Sequence, residues 1–102
     1  MTCTFEPSGT KRLWKKHPHD VDRIRTIVCH ALENEIATGF ATSKRASHLT
    51  YLGHVLYECR VGLGKLPDVR VAYFVESHTA TVVFISTTLQ KSEFTHELEK
   101  ML

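Results

Sequence analysis

Cysteine is scarce in this chain. Cys3, Cys29 and Cys59 are an odd number at wide spacings with no C-x-x-C pair. That excludes a disulfide scaffold and reads as three reduced cytosolic thiols, two of them buried. Glycine and proline form no linker, and no low-complexity tract or internal repeat is present. Neither sign of charge dominates, since 13 Lys and Arg against 11 Asp and Glu leave a net charge of +2. A histone-like polycation is therefore excluded, while a local basic patch is not. No apolar run is long enough to cross a bilayer, and the first residues lack the charged and apolar regions of a secretory leader. What remains is a cytoplasmic chain of 102 residues, 42% hydrophobic and 24% charged, near the globular average. It reads as one domain, residues 1–102, able to bury roughly two thirds of its unfolded surface.

The periodicity divides the chain into a helical half and a strand half. Thr2 to Phe5 alternates weakly, as a short strand does, and Pro7, Ser8 and Gly9 punctuate it. A short helix is expected from Thr10 to Lys16, ended by Pro18. Val21, Ile24, Val28, Ala31, Leu32 and Ile36 then share one face at helical spacing, with Asp20 placed to cap the start and Gly39 to end the turn. Residues 40–53 read as a polar connection. After it the period becomes two: strands are expected near 55–61, 69–76 and 81–86, with a turn at Ser77 and His78. A final helix begins near Ser92 and buries Phe94, Leu98 and Met101. The order is β-α-α-β-β-β-α, an α+β domain with an antiparallel meander.

Two strand arginines draw attention. Arg60 and Arg70 each interrupt apolar sequence on strands that a short loop pairs. Two guanidinium forks on one sheet can cradle a phosphate. Glu58 lies two residues from Arg60 on the same face as a candidate proton acceptor, and His54 follows along the strand with an intrinsic pKa suited to acid–base work. The same alternation describes a solvated cross-strand charge ladder, and periodicity alone favours that simpler reading. A second basic group gathers in the helical half: Lys11, Arg12, Lys15, Lys16, His17, His19, Arg23 and Arg25. It can follow a nucleic-acid backbone or be a solvated helix face. Trp14 within it can stack on a base, although a lone tryptophan beside Leu13 is more often an anchor. Seven histidines are scattered without finger-like spacing, so no metal site and no cofactor is expected. Gly62-Leu63-Gly64 lacks the third glycine and following helix of a phosphate loop.

The segment from His54 to Leu102 resembles the C-terminal half of the RelE/ParE superfamily of toxins, in its phage-type, HigB-like branch. Leu56-Tyr57-Glu58-Cys59-Arg60-Val61 is similar to that branch's L-Y-E-L-R-V strand, and Val69-Arg70-Val71-Ala72-Tyr73-Phe74 to its Y-R-V-L-Y-F strand. The resemblance implies a RelE-like fold, with two N-terminal helices packed on an antiparallel sheet and a short C-terminal helix. It implies a toxin of a toxin–antitoxin system that enters the ribosome and cuts messenger RNA without a metal, a ribose 2′-hydroxyl attacking the adjacent phosphate. The expected partners are a cognate antitoxin, the ribosome and mRNA. Arg70 matches the strand arginine at the scissile phosphate, Arg60 a basic position before it, and Glu58 an acidic one. Lys91 and Gln90 fall where the family places basic residues after its last strand. Lys11, Lys15, Lys16, Lys44, Arg45 and Lys65 are expected to add RNA contacts. This chain departs from the branch in offering a single lysine over Thr87–Lys91, and the general acid is unassigned, with His96 a candidate that falls inside the terminal helix pattern. A gyrase-inhibiting toxin of ParE type, or a non-catalytic binding module, is the competing expectation.

Overall fold

Residues 2–102 are described by a computed structural model. The chain opens with strand β1 (Thr2–Phe5), followed by α1 (Pro7–Lys16) and α2 (Val21–Ala37). Then come β2 (Lys44–Tyr51), β3 (His54–Val61), β4 (Val69–Glu76), β5 (Thr79–Ser86) and α3 (Lys91–Met101). One five-stranded sheet runs in the order β1-β5-β4-β3-β2. Its strands are antiparallel except β1, which pairs in parallel with β5.

These facts correct the expected architecture. The sheet is mixed, and the two N-terminal helices do not form a layer together on it. Of these two, α2 is the one that covers a face, sinking Ile24, Val28 and Leu32 against Cys59, Val61, Val71, Tyr73 and Val82, with Leu13 of α1 joining the same cluster. Helix α1 instead lies along β5 where β1 stops pairing, and it covers an edge that would otherwise expose unpaired backbone. Gly9 makes that approach possible, because a Cβ there would sit 1.7 Å from the Val83 carbonyl oxygen. The helix starts at Pro7, earlier than expected, since proline suits the first helical turn, where its missing N–H costs nothing.

The second correction is β2, within the stretch read as a polar connection. As an edge strand it buries only Ala46 and Ser47, so its sequence carries no apolar alternation. Its register with β3 shifts between Arg45 and Thr50. Arg45 folds over this irregularity and donates to the carbonyls of Ser47 and His48. Two tight turns close the neighbouring hairpins with positive φ at Leu52 and Gly53 and at Ser77 and His78, the twist that suits two-residue connections.

The cysteine reading is corrected too. Cys3 and Cys29 form a disulfide that ties β1 to α2, with Cα atoms 5.9 Å apart. Linear spacing could not reveal a pair made by packing a strand edge beside a helix. Cys59 is free and buried, and burial pushes its thiol up to about 11.

On the opposite face α3 packs Phe94 and Leu98 over Ala46, Leu56, Ala72, Phe74 and Val83. No helix of the described residues is long and apolar enough to cross a membrane. Helix α3 leaves one end of its sheet face uncovered, and the charged strand residues stand there.

Candidate functional site

Strand pairing builds the site from sequence positions far apart. Arg60 on β3 stands opposite Arg70 on β4, Arg70 opposite Ser86 on β5, and Lys44 on β2 opposite Glu58 on β3. Period-two geometry turns Glu58, Arg60 and Arg70 to the α3 side of the sheet. The chain leaving β5 then brings Lys91, the first residue of α3, to the same place. The result is an open depression of about 490 Å³ lined by Thr42, Lys44, Glu58, Arg60, Arg70 and Lys91.

Glu58 is its floor. The side chain is 2% exposed; Oε2 accepts from Arg70 Nη1 at 2.5 Å, and Oε1 lies 3.8 Å from Lys91 Nζ. Arg70, 18% exposed, is held from a second direction because Nε donates to the Leu89 carbonyl at 2.8 Å. Among the described residues nothing accepts from its Nη2. Arg60 is 56% exposed and donates from Nε and Nη2 to Asp68 Oδ2 at 3.1 and 2.8 Å. Four cations thus face two carboxylates, leaving a local excess of positive charge in a chain that is nearly neutral overall. The N-terminal turn of α3 adds partial positive charge beside Lys91.

A buried carboxylate on the other side of the sheet steadies the rim. Glu35 of α2 accepts from Thr42 N at 3.0 Å, Thr42 Oγ1 at 2.7 Å and Ser43 Oγ at 2.7 Å. The Ser43 hydroxyl also meets Tyr73 OH at 2.5 Å. Burial pushes the Glu35 carboxyl upward, but the hydrogen bonds from Thr42 and Ser43 together outweigh it and hold the pKa below its ordinary value. Burial also pushes the Tyr73 phenol up to about 12. This network fixes the two residues immediately before Lys44.

Of the five expected catalytic residues, the fold brings together Arg70, Arg60, Lys91 and Glu58. His54 lies elsewhere: it starts β3, about 13 Å along the strand from Glu58, stacks on Phe74 at 4.1 Å and meets Glu76 at 3.0 Å. Of the expected RNA-contacting residues, only Lys44 enters the depression. Lys11 and Lys16, joined by Arg12, line a separate groove between α1 and the end of β5. Lys15 and Lys65 are exposed outside both, Gln90 caps α3 without a side-chain cap bond, and Arg45 is spent on its own strand. Trp14 is an anchor, packed edge-on against Phe5 with the Arg25 guanidinium over both rings. Thr42, Asp68 and Glu35 had no sequence signal, since each acquires its role from a tertiary partner.

No protein-family model matches the chain, and neither a curated protein nor a solved structure matches it.

Proposed function

We propose that this chain is a toxin acting in the cytoplasm as a metal-independent, ribosome-dependent endoribonuclease on messenger RNA. The observation that carries the reading is the meeting of Lys44, Arg60, Arg70 and Lys91 around Glu58 in one open depression. A phosphodiester entering it meets fixed guanidinium and ammonium donors. Their charge stabilises the extra negative charge of a pentacoordinate phosphate more than that of the ground state. Glu58 Oε1 takes the proton of the ribose 2′-hydroxyl, whose oxygen forms the new bond to phosphorus. The bond to the 5′-oxygen breaks, leaving a 2′,3′-cyclic phosphate, and the leaving oxygen takes a proton. Lys91 is the acid the depression offers. The strand motifs that resemble the RelE/ParE toxins supply the ribosome, mRNA and a neutralising antitoxin as partners. An acidic antitoxin surface covering the depression would be the complement of its charge.

A second reading draws on the ion pairs. Arg70 with Glu58, and Arg60 with Asp68, are already partnered. Such a surface suits a toxin or module that only binds protein, including one that inhibits gyrase.

Translation of a defined mRNA in vitro, read by primer extension, separates the two. Cleavage within the coding region that requires ribosomes and disappears with Arg70→Ala and Lys91→Ala supports the nuclease. Lys91 is half exposed, so its removal spares the fold. Intact message with the wild-type protein rejects catalysis and leaves the binding role.

A further inference from the structure

The groove between α1 and β5 carries charge that the proposed chemistry does not use. It holds about 430 Å³ and is lined by Lys11, Arg12 and Lys16 on one side and Ser86, Thr87 and Thr88 on the other. All three cations are exposed, and among the described residues none has an ion-pair partner. Placing Lys16 in the last helical turn has a local explanation, because cations there complement the helix dipole. Lys11 and Arg12 stand mid-helix and have no such explanation. The one acid lining the groove, Glu97, accepts from the Ser86 hydroxyl at 3.0 Å.

The groove and the depression are neighbours. Ser86 lines the groove and is the register partner of Arg70, which lines the depression. Helix α3 borders both, with Lys91 on the depression and Glu97 and Met101 on the groove. Along the chain only Leu89 and Gln90 separate them. A strand spacing plus a helix contact sets the two groups of cations on the order of 10–15 Å apart. A ligand that addresses both must carry anionic charges at intervals along a flexible backbone, which is the chemistry of a single-stranded polynucleotide.

We infer that the α1–β5 groove continues the depression as a track for single-stranded RNA, so that the backbone beyond the bound phosphate crosses Leu89 and Gln90 and is held by Lys11, Arg12 and Lys16. This inference rests on the phosphodiester reading of the depression and adds the path of the substrate outside it. Glycine at position 9 is part of the device, since it sets α1 close enough to β5 to form the groove's wall.

The test uses fluorescein-labelled uridine oligomers, 2′-O-methylated so that they cannot be cut, at two lengths of three and twelve nucleotides. Binding is read by fluorescence anisotropy for the wild type, Arg70→Ala, Arg70→Lys, and the combined Lys11→Gln, Arg12→Gln and Lys16→Gln variant. The combined variant is expected to keep the wild-type affinity for the trimer and to lose roughly tenfold for the 12-mer. Its slope of log affinity against log salt for the 12-mer should shrink by about 2, the share of three phosphate contacts on a single strand. Arg70→Ala should weaken both lengths, with Arg70→Lys retaining part of each. Equal 12-mer binding by the combined variant and the wild type overturns the track while leaving the depression's role standing. Trimer binding indifferent to Arg70, or no binding of either length by the wild type, overturns the depression's reading and the track with it.

Discussion

On the α3 side of the sheet, β3 and β4 present Leu56, Ala72 and Phe74 toward one end and Glu58, Arg60 and Arg70 toward the other. The two ends share strands, face and period. They differ in where α3 lies. Over the apolar end, Phe94 and Leu98 exclude water and make a second core. Over the charged end the helix has not yet begun, and its first residue, Lys91, joins the rim instead. The same two strands thus serve as packing surface and as electrostatic cradle. One hydrogen bond ties the open end to the closed one, since Arg70 Nε donates to the Leu89 carbonyl in the segment leading into α3.

The closed end is most vulnerable at Phe94. The side chain is fully buried, and its removal leaves a cavity between α3 and the sheet. Phe94→Ala should cost about 3–5 kcal/mol in urea unfolding. If the closed end also holds the open one, the residual folded protein should lose phosphate affinity although no charge has been altered. Unchanged affinity in the folded fraction would show the two ends to be independent.

How much of this could be read from the sequence differs between the same two ends. The alternation of β3 and β4 is strong because both faces of these central strands are constrained, so it puts Glu58 and Arg60 on one face, and the register of β3 with β4 adds Arg70. Lys91 was placed by resemblance, and the packing of α3 brings it to that face. Strand β2 was not legible: an edge strand needs no apolar repeat, and Lys44 became a site residue only through its pairing with Glu58. His54 obeys the same period as Glu58 but sits too far along the strand, a distance that periodicity does not measure. Glu35 shared a helix with the core residues and gave no sign of its partners, Thr42 and Ser43, which lie beyond the turn that follows. The disulfide escaped for a similar reason, since a strand edge and a helix surface meet only in three dimensions.

Glu35 supports the rim of the open end from the far side of the sheet, and its loss has a smaller effect. Its carboxylate is preferred in the folded state, where hydrogen bonds hold the pKa below the ordinary 4.5. The unfolded chain therefore binds the proton more readily, and stability from this group is complete above the unfolded pKa. That stability is lost as pH falls through 4.5 toward the folded value. Glu35→Gln should cost about 1–3 kcal/mol at neutral pH, through weakened hydrogen bonds to Thr42 and Ser43. It should also flatten the decline of stability measured between pH 5 and pH 3, roughly the window of a carboxylate. An equally steep decline in the variant would place the acid sensitivity elsewhere.

The smallest effect on stability belongs to Arg60, and it is the most informative about the open end. Its pair with Asp68 is largely solvated, so Arg60→Ala should change the unfolding free energy by under about 1 kcal/mol. Asp68 stays accessible to water and is not left as a buried lone charge. If the depression binds phosphate, the same substitution removes one of its four cations and should lower affinity for a phosphodiester at low salt, with a shallower salt dependence. Arg70→Ala differs in kind, because it also strips the partner from the buried Glu58 carboxylate. Comparing the two separates charge from structure within the open end. Loss of affinity at Arg60 without loss of stability would assign that arginine to the ligand. Loss of stability without loss of affinity would return it to the cross-strand charge ladder that the alternation alone suggests.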